Sequence, residues 1–97
     1  MYNRADLESI HKFSSRHRER VTAAGSCGCF YCEVQFQPSL ILEWIDPASD
    51  DTEEGTTALC PKCGIDSVLP DNIPGVPLNS VLLHEMRQHW FERTATL

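Results

Sequence analysis

The sequence has no apolar run approaching the roughly 18 residues a membrane-spanning helix needs, so no transmembrane helix and no membrane partner are expected. Met1 to Glu8 is polar and charged where a secretory signal would be apolar. A disulfide framework suited to export is therefore not expected, and the cysteines point to a reducing cytoplasm. Positive charge is scarce: 8 Lys and Arg stand against 14 Asp and Glu, a net charge of −6. The shortage is uneven. Residues 1–25 hold five basic and three acidic side chains, net +2; residues 26–97 hold three basic and eleven acidic ones, net −8. Such an acidic surface repels phosphate and counts against nucleic-acid binding, leaving that role to Arg16, Arg18 and Arg20. No strand–helix–strand pattern surrounds a reactive cysteine pair, which argues against a thioredoxin-like dithiol. At 97 residues the chain reads as one domain with a modest core.

Against these absences stand two Cys-x-x-Cys knuckles, Cys29-Phe30-Tyr31-Cys32 and Cys60-Pro61-Lys62-Cys63. Two residues between cysteines allow a tight turn that aims both sulfurs at one ion. Two such turns complete a four-thiolate shell with no position left for substrate, the arrangement of a structural rather than a catalytic zinc site. Binding energies of roughly 10–16 kcal/mol are typical of such sites. One zinc held by Cys29, Cys32, Cys60 and Cys63 is expected to decide whether the middle of the chain folds. Cys27 is the fifth cysteine. The spacing from Cys27 to Cys32 is less usual for a ligand pair, and Cys27 reads as a free thiol beside the metal, with replacement of Cys29 as the alternative.

Leu7, Ile10, Phe13, His17 and Val21 recur at intervals of three and four, which predicts a helix over residues 4–23 with Asn3 as N-cap, Asp6 in its first turn and Gly25 as its stop. His17 lies on this stripe and reads as a half-buried packing residue rather than a ligand or base. The zinc module spans residues 27–68. Within it, Ser39 to Ile45 predicts a strand entered through a turn at Pro38, Pro47 to Gly55 an exposed acidic loop, and Thr56 to Leu59 a second strand, so a hairpin should join the knuckles. Residues 65–77, with Pro70, Pro74, Gly75 and Pro77, predict an ordered loop. A last helix is expected over residues 79–93, capped by Asn79, with Leu82, Leu83, Met86 and Trp90 on one face. His84 and His89, five residues apart, stand roughly 140° apart on such a helix and should not share one metal.

Knuckle, hairpin, knuckle and helix is the order of a treble-clef zinc finger, and residues Cys29 to Cys63 resemble its HNH-endonuclease version. In that family a strand after the first knuckle ends in an Asp-His pair, and a helix after the second supplies a further His or Asn. Here Leu42-Glu43-Trp44-Ile45-Asp46-Pro47 stands where the first motif belongs, and Thr57-Ala58-Leu59-Cys60-Pro61-Lys62-Cys63-Gly64 where the second does. Pro47 replaces the water-activating histidine and Gly64 the later ligand. A metal-assisted nuclease needs a base and metal ligands near the phosphate, which Asp46 cannot supply alone. The resemblance thus implies an α+β, treble-clef-like scaffold without catalysis. Residues 28–91 are also similar to small bacterial zinc proteins described only as cytoplasmic, which implies a compartment and no activity.

The function expected from these observations is a non-catalytic interaction or regulatory module that meets a protein partner through the acidic Asp50–Glu54 loop and an exposed helix face, as an inhibitor or adaptor. A nucleic-acid-binding finger using Arg16, Arg18 and Arg20 is the first alternative. A variant HNH nuclease using Asp46, Asp66, His84 or His89 is the second.

Overall fold

Asn3 caps the start of the first helix as the sequence predicts. In a computed structural model that describes residues 2–50, 52 and 54–92, its side chain accepts from the Asp6 amide at 2.8 Å, and Asp6 accepts in return from the Asn3 amide. The helix this box opens, α1 (Arg4–His11), is shorter than the stripe suggests. Lys12–Ser14 tightens to a 3-10 turn, Ser15 is extended, and Arg16 turns left-handed at φ 48° before α2 (Arg18–Ala23) begins. The expected helix over residues 4–23 is therefore broken in the middle. Its amides found better partners elsewhere: Arg16 N–H donates to Thr57 Oγ1 and His17 N–H to the Thr56 carbonyl, both at 2.8 Å. The break also parts the stripe. Leu7 and Ile10 enter one core and Val21 another.

Five short strands follow. β1 (Cys27–Cys29) lies between β2 (Gln35–Phe36) and β5 (Val68–Pro70) in an antiparallel sheet, with Cys27 opposite Phe36 and Pro70, and Cys29 opposite Val68. β3 (Trp44–Pro47) and β4 (Gly55–Ala58) form the hairpin expected between the knuckles, paired Trp44 with Ala58 and Ile45 with Thr57. The strand expected at residues 39–45 starts later, because Pro38 opens a 3-10 turn over Pro38–Leu40, where its fixed φ suits the first helical position. The loop expected over residues 65–77 contains β5, whose partner β1 lies about forty residues earlier in the chain.

The three-stranded sheet separates two cores. Alternation along a strand sends neighbours to opposite faces. Cys27, Cys29 and Val68 join Val21, Phe36, Ile41, Ala58 and Cys60 on one side. Phe30 and Leu69 join Leu7, Ile10, Ile73, Leu82, Leu83 and Met86 on the other. Gly28 faces the latter side: a Cβ there would stand 2.8 Å from Leu83 Cδ1, so its bare backbone admits the last helix, α3 (Ser80–Arg87). Asn79 caps α3 by accepting from the Leu82 amide at 2.9 Å. After Arg87 the chain widens into a π-turn over Gln88–Glu92; residue 93 of the expected helix lies outside the described residues.

His17 is the pin at the break. Its Nε2 accepts from the Ala58 N–H at 3.1 Å, so its proton sits on Nδ1 and is donated to the Phe13 carbonyl. The ring is buried rather than half-buried, and burial lowers its pKa below 6.5 although the Phe13 carbonyl favours the charged form. The unfolded chain then binds the proton more readily than the folded one. Stability from His17 is complete above about pH 6.5 and falls as pH drops towards the folded value. Melting temperatures of wild type and His17→Gln between pH 8 and pH 5 should converge on the acid side, with the variant less stable by about 1–3 kcal/mol at neutral pH.

Candidate metal centre

The two knuckles are built alike. In each, the first cysteine's amide donates to the carbonyl five residues on: Cys29 to Val34 at 2.9 Å and Cys60 to Ile65 at 3.0 Å. In each, the amide two residues on donates to the first sulfur at 3.4 Å, Tyr31 to Cys29 Sγ and Lys62 to Cys60 Sγ. The residue after the second cysteine turns left-handed in both, Glu33 at φ 63° and Gly64 at φ 78°. This repeated turn is what the Cys-x-x-Cys spacing folds into, and it exposes both sulfurs of a pair on one side.

Strand β1 delivers Cys29, the turn after it Cys32, and the turn after β4 delivers Cys60 and Cys63. The four sulfurs lie within 4.8 Å of one another, with Cys29 to Cys63 at 3.6 Å and Cys32 to Cys60 at 3.7 Å. A disulfide would hold its sulfurs at about 2.05 Å. Four thiolates about 2.3 Å from a tetrahedral zinc stand roughly 3.8 Å apart, close to the 3.6 and 3.7 Å separations of those two pairs. The four cysteines can hold one metal ion, and an all-sulfur donor set selects zinc over the harder divalent cations.

The electrostatics agree. Burial pushes the Cys63 thiol up to about 12, with Cys29 adding to the rise, and burial raises Cys32 as well. Burial works the same way on Cys60, but the N–H groups of Cys63 and Lys62, together with the neighbouring Cys63 and Cys32 thiols, outweigh it and leave that thiol lowered. Thiols crowded in this way ionise together only around a cation, so metal binding expels protons. Ser67 Oγ, 3.1 Å from Cys29 Sγ and buried, adds a contact that no spacing rule in the sequence announces.

Cys27 is outside the cluster. It is buried in the sheet, and burial together with nearby Asp71 raises its thiol to about 12, which makes it an inert packing residue. The second knuckle opens onto a turn and then β5, where a treble clef would begin a helix; the next helix starts at Ser80. Asp46, Asp66, His84 and His89 are not brought together. His84 pairs with Glu33 at 3.3 Å, His89 stands 3.8 Å from Glu8, and among the described residues the four cysteines form the one group of three or more side chains that could share a metal ion.

The left-handed residues give opposite predictions for the two knuckles. A Cβ on Gly64 meets nothing within 4 Å, so Gly64→Ala should cost about 1–2 kcal/mol through the backbone alone. Glu33→Gly should stabilise by about 0.5–1 kcal/mol, because the surface pair with His84 that it removes is worth less than the strain it relieves. Chemical denaturation of the zinc-loaded variants reads both signs.

No helix among the described residues is long and apolar enough to cross a membrane. No protein-family model, no curated protein and no solved structure matches this chain.

Proposed function

We propose that this chain is a zinc-stabilised, non-catalytic module that binds a basic protein partner as an inhibitor or adaptor in the cytoplasm. The observation that carries this proposal is the closed shell of Cys29, Cys32, Cys60 and Cys63, whose four sulfurs would fill every position of a tetrahedral zinc and leave none for substrate. In this reading the hairpin between the knuckles is an HNH-like scaffold without its base, since Pro47 stands where the histidine belongs. The strand that follows the second knuckle weighs towards a zinc-ribbon variant of that scaffold.

The segment between the knuckles offers a surface for the partner. Leu42 is 86% exposed and Leu40 55%, and Ile45 is exposed on β3. Acidic Glu43, Asp46, Asp50 and Glu54 are interleaved with or follow them, all exposed. Apolar side chains left in water beside like charges suit a basic segment with apolar anchors, and charge complementarity speeds such an encounter. Cross-linking in host lysate followed by mass spectrometry tests the proposal. Wild type should capture one stoichiometric basic protein, and the pair Leu40→Ser, Leu42→Ser should lose it while keeping its zinc. Absence of any stoichiometric protein from the wild-type capture would sink it.

A further inference from the structure

We infer that the concavity at the break between α1 and α2 is a binding site for a compact phosphate-bearing anion. The depression has a volume of about 720 Å³ and is lined by Lys12, Arg16, Arg18 and Arg20, half of the chain's eight Lys and Arg residues. Glu19 is the one acidic side chain in its wall. On a chain of net charge −6, this convergence runs against the overall composition. A volume of this order is within the roughly 300–1,000 Å³ of small-molecule sites.

The fold holds two of these cations in place before any ligand arrives. Arg18 donates through one guanidinium nitrogen to the Gly55 carbonyl at 2.8 Å and lies over the Trp44 ring, 4.6 Å from its centroid. Arg20 donates in the same way to the Asn72 carbonyl at 2.8 Å and lies 5.1 Å over Phe13. A guanidinium has five N–H donors, so each arginine keeps further donors for an anion while these contacts already restrict its rotamers. Planar, forked donors of this kind match phosphate oxygens.

Arg16 adds an independent observation. It holds a φ of 48°, a region that favours glycine, and its amide is fixed to Thr57 Oγ1. Of the left-handed non-glycine residues among those described, Arg16, Glu33 and Asp46, Arg16 is the one that lines the cavity, so the turn that stops the helix also sets an arginine at its wall. Lys12 and Arg16 are both exposed and complete the set. A compact anion suits the site better than a long polynucleotide, because residues 26–97 carry net −8 and would repel phosphates running beyond the concavity.

Titration calorimetry of the zinc-loaded chain with inorganic pyrophosphate, ATP and a short single-stranded oligonucleotide tests this. Pyrophosphate and ATP should bind at one saturable site. Arg16→Gly should weaken both by about tenfold or more, since bonds to charged groups are the strong ones, while the melting temperature holds or rises because glycine relieves the backbone. Lys12→Ala should weaken them too with zinc content unchanged. No saturable pyrophosphate binding, or binding undiminished in both variants, would overturn the site. Oligonucleotide binding tighter than ATP and lost in the same variants would overturn the compact ligand in favour of a nucleic-acid backbone.

Discussion

Cys60→Ser is expected to abolish metal binding and, with it, the folded state of the β half of the chain. Cys60 Sγ accepts from the amides of Lys62 and Cys63 and stands 3.7 Å from Cys32 Sγ, so it organises its own turn as well as the metal. It is also a buried member of the core that holds Val21, Phe36, Ile41 and Ala58. That core is small, and three of its members are the cysteines Cys27, Cys29 and Cys60. A structural zinc supplies roughly 10–16 kcal/mol, whereas whole domains are stable by about 5–15 kcal/mol. Removing a ligand therefore removes as much free energy as the fold has to spare. Near-UV dichroism of Trp44, which packs against this core, should lose its signal. A variant without zinc that kept the wild-type melting curve would contradict the expectation.

Phe30→Ala should leave the metal in place and loosen what packs behind it. Phe30 belongs to the first knuckle by sequence and to the opposite core by orientation, where it is 1% exposed among Leu69, Leu82, Leu83 and Met86. Its amide donates to the Ser67 carbonyl at 3.0 Å, and its ring meets those of His11 and Phe91. Truncating a buried phenylalanine costs about 3–5 kcal/mol when the cavity cannot close. The expected outcome is one zinc per chain, an unfolding free energy lower by that amount, and hydrogen-exchange protection lost first from α1 and α3. A loss below about 1 kcal/mol would mean that the knuckle and the helices are not coupled through this ring.

These two residues also show how much of the structure was legible in the sequence. The gathering of the four cysteines was, because two-residue spacing between cysteines leaves few ways to place the sulfurs, and the four sulfurs lie together as that spacing implies. The caps Asn3 and Asn79 were legible for the same reason: each acts within three residues of itself. The hairpin was legible from a strand pattern on either side of an acidic loop. What escaped was decided at a distance. Nothing near Arg16 and His17 announces that β4 will bind their amides and stop a helix whose apolar stripe continues past them. β1 and β5 are three residues each and pair across about forty positions, so neither carries a period long enough to read. Cys27 is two residues from Cys29 on the same strand face, yet its sulfur is outside the cluster. Sequence adjacency alone left its role open.

The central claim is that four sulfurs of this chain hold one zinc. X-ray absorption at the zinc edge of the purified protein tests it most directly. A single zinc surrounded by four sulfurs at about 2.3 Å is the predicted result. Nitrogen or oxygen in the first shell, or a folded chain that carries no zinc, would contradict it.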